Sequence, residues 1–199
     1  MCHCARDFDK VVFGPTRQRK TDTGVLSGRR RQRFNAAIGI RAQERSRRAG
    51  TENLPAIVGM GAAIELITAE MPEETPRMTA LRDKLIRGIL DAIPESRLNG
   101  HPTQRLPGNV NISVRYIEGE SLLLSLDMAG IAASSGSACT SGSLEPSHVL
   151  HAMGVPFKYA HSSTRLSLSR YNTQEEVDFA ISKFPEIIAT LRKLSPFKD

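Results

Sequence analysis

Cysteine is scarce in this 199-residue chain, and the three present make an odd count. Cys2 and Cys4 stand at the N-terminus and Cys139 lies far from both, so a secreted disulfide scaffold is excluded and free thiols in a reducing compartment are expected. Cys2-His3-Cys4 has metal-friendly residue types, but a closed zinc site takes four ligands and no second cluster supplies them; an unstructured start is the simpler reading. No run approaches the roughly 18 apolar residues of a membrane span. No apolar signal-peptide core is present either, because Met1-Cys2-His3-Cys4 leads into charge. These absences make cytoplasmic the expected location, with no membrane partner.

Neither glycine (15) nor proline (11) is in excess, and 40% of residues are hydrophobic against 24% charged, which fits a soluble globular protein rather than a fibrous or disordered one. The length allows one ordinary domain or a large piece of a bigger one. The net charge of +6 is unevenly placed: residues 1–50 hold 13 Lys+Arg against 4 Asp+Glu, and residues 51–199 hold 14 against 17. The basic character therefore belongs to one quarter of the chain. Its clusters have only Phe8, Phe13 and Phe34 between them and match no nucleic-acid-binding pattern, so no nucleic-acid partner is expected.

Residues 1–33 show no sustained helical or strand period, and their basic clusters hold too little apolar surface to offset ordering entropy; this segment is expected to be poorly ordered, with 34–199 as the folded part. Asn53 can cap a helix bearing Ile57, Met60, Ile64 and Ile67 on one face. A second helix is expected from Thr75-Pro76, with Met78, Leu81, Leu85, Ile89 and Ala92 as its stripe and Pro94 as its stop. Val110, Ile112 and Val114 alternate with polar residues as in a strand. Glu118 to Met128 reads as a Leu-rich helix ended by Gly130, and Ile131–Ala133 as a short strand. Pro146 opens a helix ended by Gly154, and Leu166 and Leu168 mark another strand. Thr173 and Glu176 form a capping box before a long apolar stripe that Pro185 should kink or split. Few short strands among long helices predict a small sheet covered by helices, an α+β arrangement within the α/β class.

Three features could carry chemistry. Cys139 sits in Ser134-Ser135-Gly136-Ser137-Ala138-Cys139-Thr140-Ser141-Gly142-Ser143, too small and polar a stretch to bury a packing cysteine. It is either a reachable nucleophile, activated by a positive neighbour or helix N-terminus, or an idle surface thiol. Arg165 interrupts an apolar strand and either makes a structural ion pair or holds a carboxylate bidentately. Arg47-Arg48-Ala49-Gly50-Thr51-Glu52-Asn53 is a basic turn feeding a helix N-terminus, suited to a phosphate or to ordinary capping. The histidines show no metal-ligand spacing, and no Walker loop or dinucleotide fingerprint occurs.

These segments together resemble the cysteine desulfurases of the class V aminotransferase group. The resemblance rests on Gln43-Glu44-Arg45-Ser46-Arg47-Arg48-Ala49-Gly50-Thr51-Glu52-Asn53, on 134–142 with Glu145-Pro146-Ser147-His148-Val149-Leu150, and on Arg165-Leu166-Ser167-Leu168-Ser169-Arg170-Tyr171-Asn172-Thr173. It runs from about residue 34 to the C-terminus and implies the C-terminal portion of a fold-type I transferase dependent on pyridoxal 5'-phosphate. In that family L-cysteine forms an aldimine with the cofactor, and a loop thiolate takes its sulfur as a persulfide, leaving alanine. Cys139 matches the nucleophile and Arg165 the arginine that grips the substrate carboxylate. Thr51 matches a threonine that reaches the cofactor phosphate of the neighbouring subunit, which implies a homodimer. A sulfur acceptor or iron–sulfur scaffold is the implied partner, and pairing with an intact desulfurase is the alternative.

The sequence also departs from the family. The cofactor lysine belongs in a Ser-x-His-Lys-x-x-Gly-Pro context; Gly14-Pro15 is present, but no Ser-x-His-Lys precedes it, Lys10 is one residue out of register and Lys20 lies on the far side. The ring-stacking histidine and the aspartate that pairs with the pyridine nitrogen belong to a larger N-terminal domain that this sequence lacks. The resemblance therefore implies a truncated desulfurase, inactive on its own.

Overall fold

A computed structural model describes the backbone of residues 8–14 and 24–29 and the full residues of 51–135 and 147–196. The chain divides into two compact units, Met1–Met71 and Pro72–Asp199. In the first, β1 (Phe8–Gly14) pairs antiparallel with β2 (Gly24–Arg29), with Val12 opposite Leu26 and Phe13 opposite Val25. The hairpin forms within residues 1–33, where no sustained period was read. Val11-Val12-Phe13 and Val25-Leu26 are β-formers, but each run is too short to show a period.

Helix α1 (Leu54–Ala92) begins where Asn53 was expected to cap it: the Asn53 side-chain oxygen accepts the Ala56 N–H at 3.3 Å. Two helices were expected here and one continuous helix is found, running through Pro72 and Pro76. Proline's fixed φ is itself helical, and its cost is one lost N–H and a steric clash with the preceding turn. Both prolines are exposed, so the freed carbonyls lie on the solvent side, where water replaces the missing donors. The helix reaches a mean hydropathy of 1.5 over 18 residues, long and apolar enough to cross a membrane by length and composition alone, although Glu65 interrupts the stretch and no uninterrupted run of that length occurs.

The second unit is built on a four-stranded antiparallel sheet, in the order β3 (Ser96–Leu98), β4 (Asn109–Val114), β6 (Thr164–Ser167), β5 (Ser134–Ser135). Val110, Ile112 and Val114 alternate inward with Leu166 opposite Val110, as the period of two predicts. Onto these pack Leu81, Leu85 and Ile89 of α1, Leu122 and Leu126 of α2 (Gly119–Met128), and Val177, Phe184 and Ile188 of α5 (Gln174–Leu194). The result is the expected small sheet covered by helices. A satellite cluster of Leu150, Val155 and Ala160 joins α3 (His148–Ala152) to α4 (Phe157–Ala160).

Three expectations shift in this unit. The strand placed at Ile131–Ala133 instead forms directly after it, at Ser134–Ser135, because Ile131 closes α2. Gly130 adopts φ 79°, its N–H reaches Asp127, and the Ile131 N–H bonds back to Leu126 at 2.8 Å. β3 and α4 carry too few residues to announce themselves. Pro185 does not split α5, because Phe184 and Ile188 are buried on either side of it and hold the helix through the lost hydrogen bond.

The capping box forms as predicted: the Glu176 N–H bonds Thr173 Oγ1, and the Glu176 carboxylate accepts from the Thr173 N–H and from Asn172 Nδ2. The Asn172 bond, followed by the Thr173 N–H, lowers the Glu176 pKa below its ordinary 4.5. A lowered folded-state value means that the cap stabilises above the unfolded value and fades as pH falls through the folded one. Acid titration of stability below about pH 4.5 should therefore be shallower in Glu176→Gln than in the parent, measured as urea midpoints at pH 6 and pH 3. Equal slopes would show that the carboxylate does not act there.

Candidate functional site

Arg165 lies on β6 between Asn111 of β4 and Ser134 of β5, each its direct cross-strand partner. Leu166 points into the core, so strand alternation puts Arg165, Asn111 and Ser134 on the opposite face of the sheet. The Arg165 Nη2 donates to Ser134 Oγ at 3.4 Å, and among the described residues no carboxylate pairs with it. Arg165 as a residue is half-buried. A planar fork of donors held by a serine rather than by an acid is free to take a carboxylate bidentately. Of the two readings of Arg165 from sequence, this placement does not supply the structural ion pair.

The same face carries a polar seam. Asn99, following β3, donates through Nδ2 to Asn111 Oδ1 at 2.7 Å and to Ser113 Oγ at 2.8 Å. Asn99 is 4% exposed and Ser113 is fully buried. Nothing in the sequence marks Asn99 as a buried partner of the Arg165 neighbourhood. Two further arginines gave no motif signal. Arg105 donates to the carbonyls of Asn99, His101 and Asn109, and burial followed by Arg82 lowers its pKa. Arg77 donates to the carbonyls of Arg170 and Asn172, fixing the turn that follows β6. Both hold loops that border the sheet.

Cys139 lies outside the described residues; the described chain stops at Ser135 and resumes at Ser147. Ser134 and Ser135, five and four residues before that thiol, form β5 and are paired to Arg165 and Thr164 respectively. The helix expected to polarise the thiol is α3, five residues long and led by an exposed His148. Thr51 is exposed and belongs to the first unit. At the start of α1 the Ala56 N–H is already taken by Asn53, which is ordinary capping.

A covalently held pyridoxal phosphate needs a lysine in a desolvated pocket. Among the described side chains no lysine is buried. Lys84 pairs with Asp178 and Lys183 with Glu186, while Lys158 and Lys193 are exposed. These residues do not fit that cofactor, and no chemical step is assigned through it. Lys10 lies on β1 opposite Gly28, and Lys20 is outside the described residues.

A family model for aminotransferase class-V matches residues 18–179. The cysteine desulfurase IscS of Methanosarcina thermophila is 56% identical over 173 residues, covering 87% of this chain and 43% of that protein. The cysteine desulfurase NifS of Azotobacter vinelandii is 53% identical over 174 residues, with the same shares covered. Among solved structures, a NifS-like protein superposes with a TM-score of 0.71 at 33% identity, over 85% of this chain and 43% of the other. A NifS-like protein from Rickettsia africae gives 0.72 at 31%, over 84% and 43%. This chain thus spans less than half the length of the relatives it matches. From the family match, the half-identical relatives and the shared fold, the chain belongs to the class V aminotransferase family.

Proposed function

We propose that this chain is the smaller part of a cysteine desulfurase, carrying the substrate-carboxylate grip at Arg165 and the sulfur-accepting thiol at Cys139, and that by itself it does not turn over L-cysteine. The observation that carries this reading is the pairing of β5 with β6. It sets the residues leading to Cys139 beside Arg165, so that carboxylate recognition and sulfur acceptance share one edge of one sheet. Arg165 binds and orients the carboxylate. In a complete enzyme the Cys139 thiolate would attack the substrate sulfur and keep it as a persulfide, the electron pair of the broken carbon–sulfur bond and a proton leaving with alanine; the described residues do not hold the cofactor that such a cleavage needs, so this chain is assigned the grip and the acceptor and not the turnover. An iron–sulfur scaffold or another sulfur acceptor is the class of protein that would take the persulfide sulfur onward. Thr51 would serve the cofactor phosphate of a neighbouring subunit.

The purified chain, incubated with pyridoxal phosphate and L-cysteine, should show no stoichiometric band of bound cofactor and release no alanine above the protein-free rate. A stoichiometric band that disappears in Lys10→Ala or Lys20→Ala, with alanine released, would overturn the reading.

A second reading, that the chain acts without catalysis by pairing with other desulfurase chains, is favoured by one specific observation: the exposed first half of α1.

A further inference from the structure

One row of polar side chains crosses the whole sheet. The Asn99 N–H donates to the Asn111 carbonyl at 2.8 Å just past the end of β3. Asn111 on β4 stands opposite Arg165 on β6, and Arg165 stands opposite Ser134 on β5. The amide of Asn111 is not free to turn in this row, because its Oδ1 accepts from Asn99 Nδ2 at 2.7 Å. Asn99 is itself held at three more points. Its Nδ2 also donates to Ser113 Oγ at 2.8 Å, its N–H is in the sheet bond to Asn111, and its carbonyl accepts from Arg105 Nη2 at 2.6 Å. β4 lies between β3 and β6, so an amide whose oxygen is held on the β3 side turns its two N–H donors away from that side, toward Arg165. Among the described residues those donors have no partner, and Asn111 is half-buried.

On the far side of Arg165 the tie is loose. Ser134 Oγ donates its own proton to the Ser135 carbonyl at 2.9 Å and meets Arg165 Nη2 only as an acceptor, at 3.4 Å. That is longer than an ordinary N–H···O bond. Nε and Nη1 of Arg165 have no partner among the described residues.

We infer that Asn111 is the second donor to the carboxylate that Arg165 grips: one carboxylate oxygen lies against the guanidinium and the other accepts from Asn111 Nδ2. The inference rests on the reading of Arg165 proposed above. Directly opposed side chains on neighbouring strands start from Cβ atoms about 5 Å apart, so both donors reach one anion that offers two oxygens. A guanidinium alone attracts any anion. A neutral amide fixed beside it adds no charge but demands a second oxygen, which selects a carboxylate over a spherical ion such as chloride. Asn99 is then a positioning residue that acts through Asn111. Its Oδ1 is buried without a partner among the described residues, an uncommon state for a buried acceptor, and the fixed Asn111 amide is what that arrangement secures.

The test titrates the whole chain at neutral pH with sodium propionate, and separately with sodium chloride at equal ionic strength, following the backbone amide NMR signals of Asn111 and Ser134. Propionate should shift both signals saturably and chloride should not. Asn111→Asp keeps an oxygen for Asn99 Nδ2 but replaces the unpaired donors by a negative oxygen beside Arg165. Its propionate dissociation constant should be at least about 10-fold weaker, while its urea midpoint stays at or above the parent's. The introduced carboxyl should titrate below the ordinary aspartate value of about 3.9 and rise when Arg165→Gln is added. Asn111→Ser, too short to reach the anion, should weaken binding at least about 3-fold and serves if Asn111→Asp does not fold. If Asn111→Asp or Asn111→Ser folds and binds propionate as tightly as the parent, the inference is overturned and the Arg165 grip stands. If the parent does not respond to propionate, or Arg165→Gln binds it equally well, the grip and the inference fall together. An equal response to chloride overturns the role given to Asn111.

Discussion

Replacing Phe184 by alanine is expected to remove about 3–5 kcal/mol of unfolding free energy, among the largest losses from a single truncation of the described residues. Phe184 is 1% exposed and is among the largest fully buried side chains. It lies in the middle of α5, on the stripe formed by Val177, Ala180 and Ile188, and belongs to the same cluster as Leu85, Ile89, Val110 and Leu122. Truncation there removes a ring that both helices and the sheet close upon, and the strands cannot collapse to fill the space without breaking their own ladder. Domains of this size have about 5–15 kcal/mol in total, so the variant should show a urea midpoint reduced by a third or more. It may be compared with Phe179→Ala on the same helix. Phe179 is 45% exposed and its truncation should cost well under half as much. Equal losses at the two positions would mean that the packing on the α5 stripe is wrong.

The second large effect is expected from the smallest possible addition. A Cβ on Gly108 would lie 2.3 Å from the Leu168 carbonyl oxygen, and that oxygen belongs to main chain held in place. The Leu168 N–H donates to the Gly108 carbonyl at 2.8 Å, just beyond the β4–β6 ladder. No flexible side chain can give way, so the two strands must part at this end. Gly108→Ala should therefore cost about 3 kcal/mol, the upper part of the range for overpacking. Gly130→Ala is the informative comparison. Gly130 has φ 79° but nothing within 4 Å of an added Cβ, so it should lose only about 1 kcal/mol for the left-handed backbone. Denaturation of both variants decides the matter: a Gly108→Ala loss no larger than that of Gly130→Ala would contradict the close approach.

The two glycines show what the sequence could and could not disclose. Gly130 was legible, because glycine after a Leu-rich helical stripe is a standard stop and its conformation is a local property. Gly108 was not, because its role depends on Leu168, sixty residues away in sequence. The same division runs through the fold. The capping box at Thr173, the Asn53 cap, the helix ended by Gly130 and the alternation of Val110, Ile112 and Val114 were readable from spacing alone. β3, β5 and α4 were missed or misplaced because each is four residues or fewer, and it is their neighbours that give them structure. The prolines misled in the other direction at Pro76, where two helices were expected and exposure of Pro72 and Pro76 lets one continue; at Pro185, expected to kink or split α5, the helix is not split.

The candidate site divides likewise. Arg165 was conspicuous as a charge in an apolar strand, and Cys139 as a thiol in a serine-rich loop. Asn99, Ser113 and Ser134 carry no signature, since buried amides and hydroxyls acquire their meaning only from what lies across the sheet. Thr51 is a different case: it entered through family resemblance, and it lies exposed just ahead of α1.

The two-residue strand β5 sets a geometric bound on the chemistry. Ser135 is fixed to Thr164 by the sheet, and Cys139 follows four peptide units later. Four residues at full extension span about 14 Å. Under the proposed function, the thiol would work on a leash of that length from β5, and an acceptor of its sulfur would have to bring its own thiol or metal-binding cysteines within that radius of the β5 edge of the sheet.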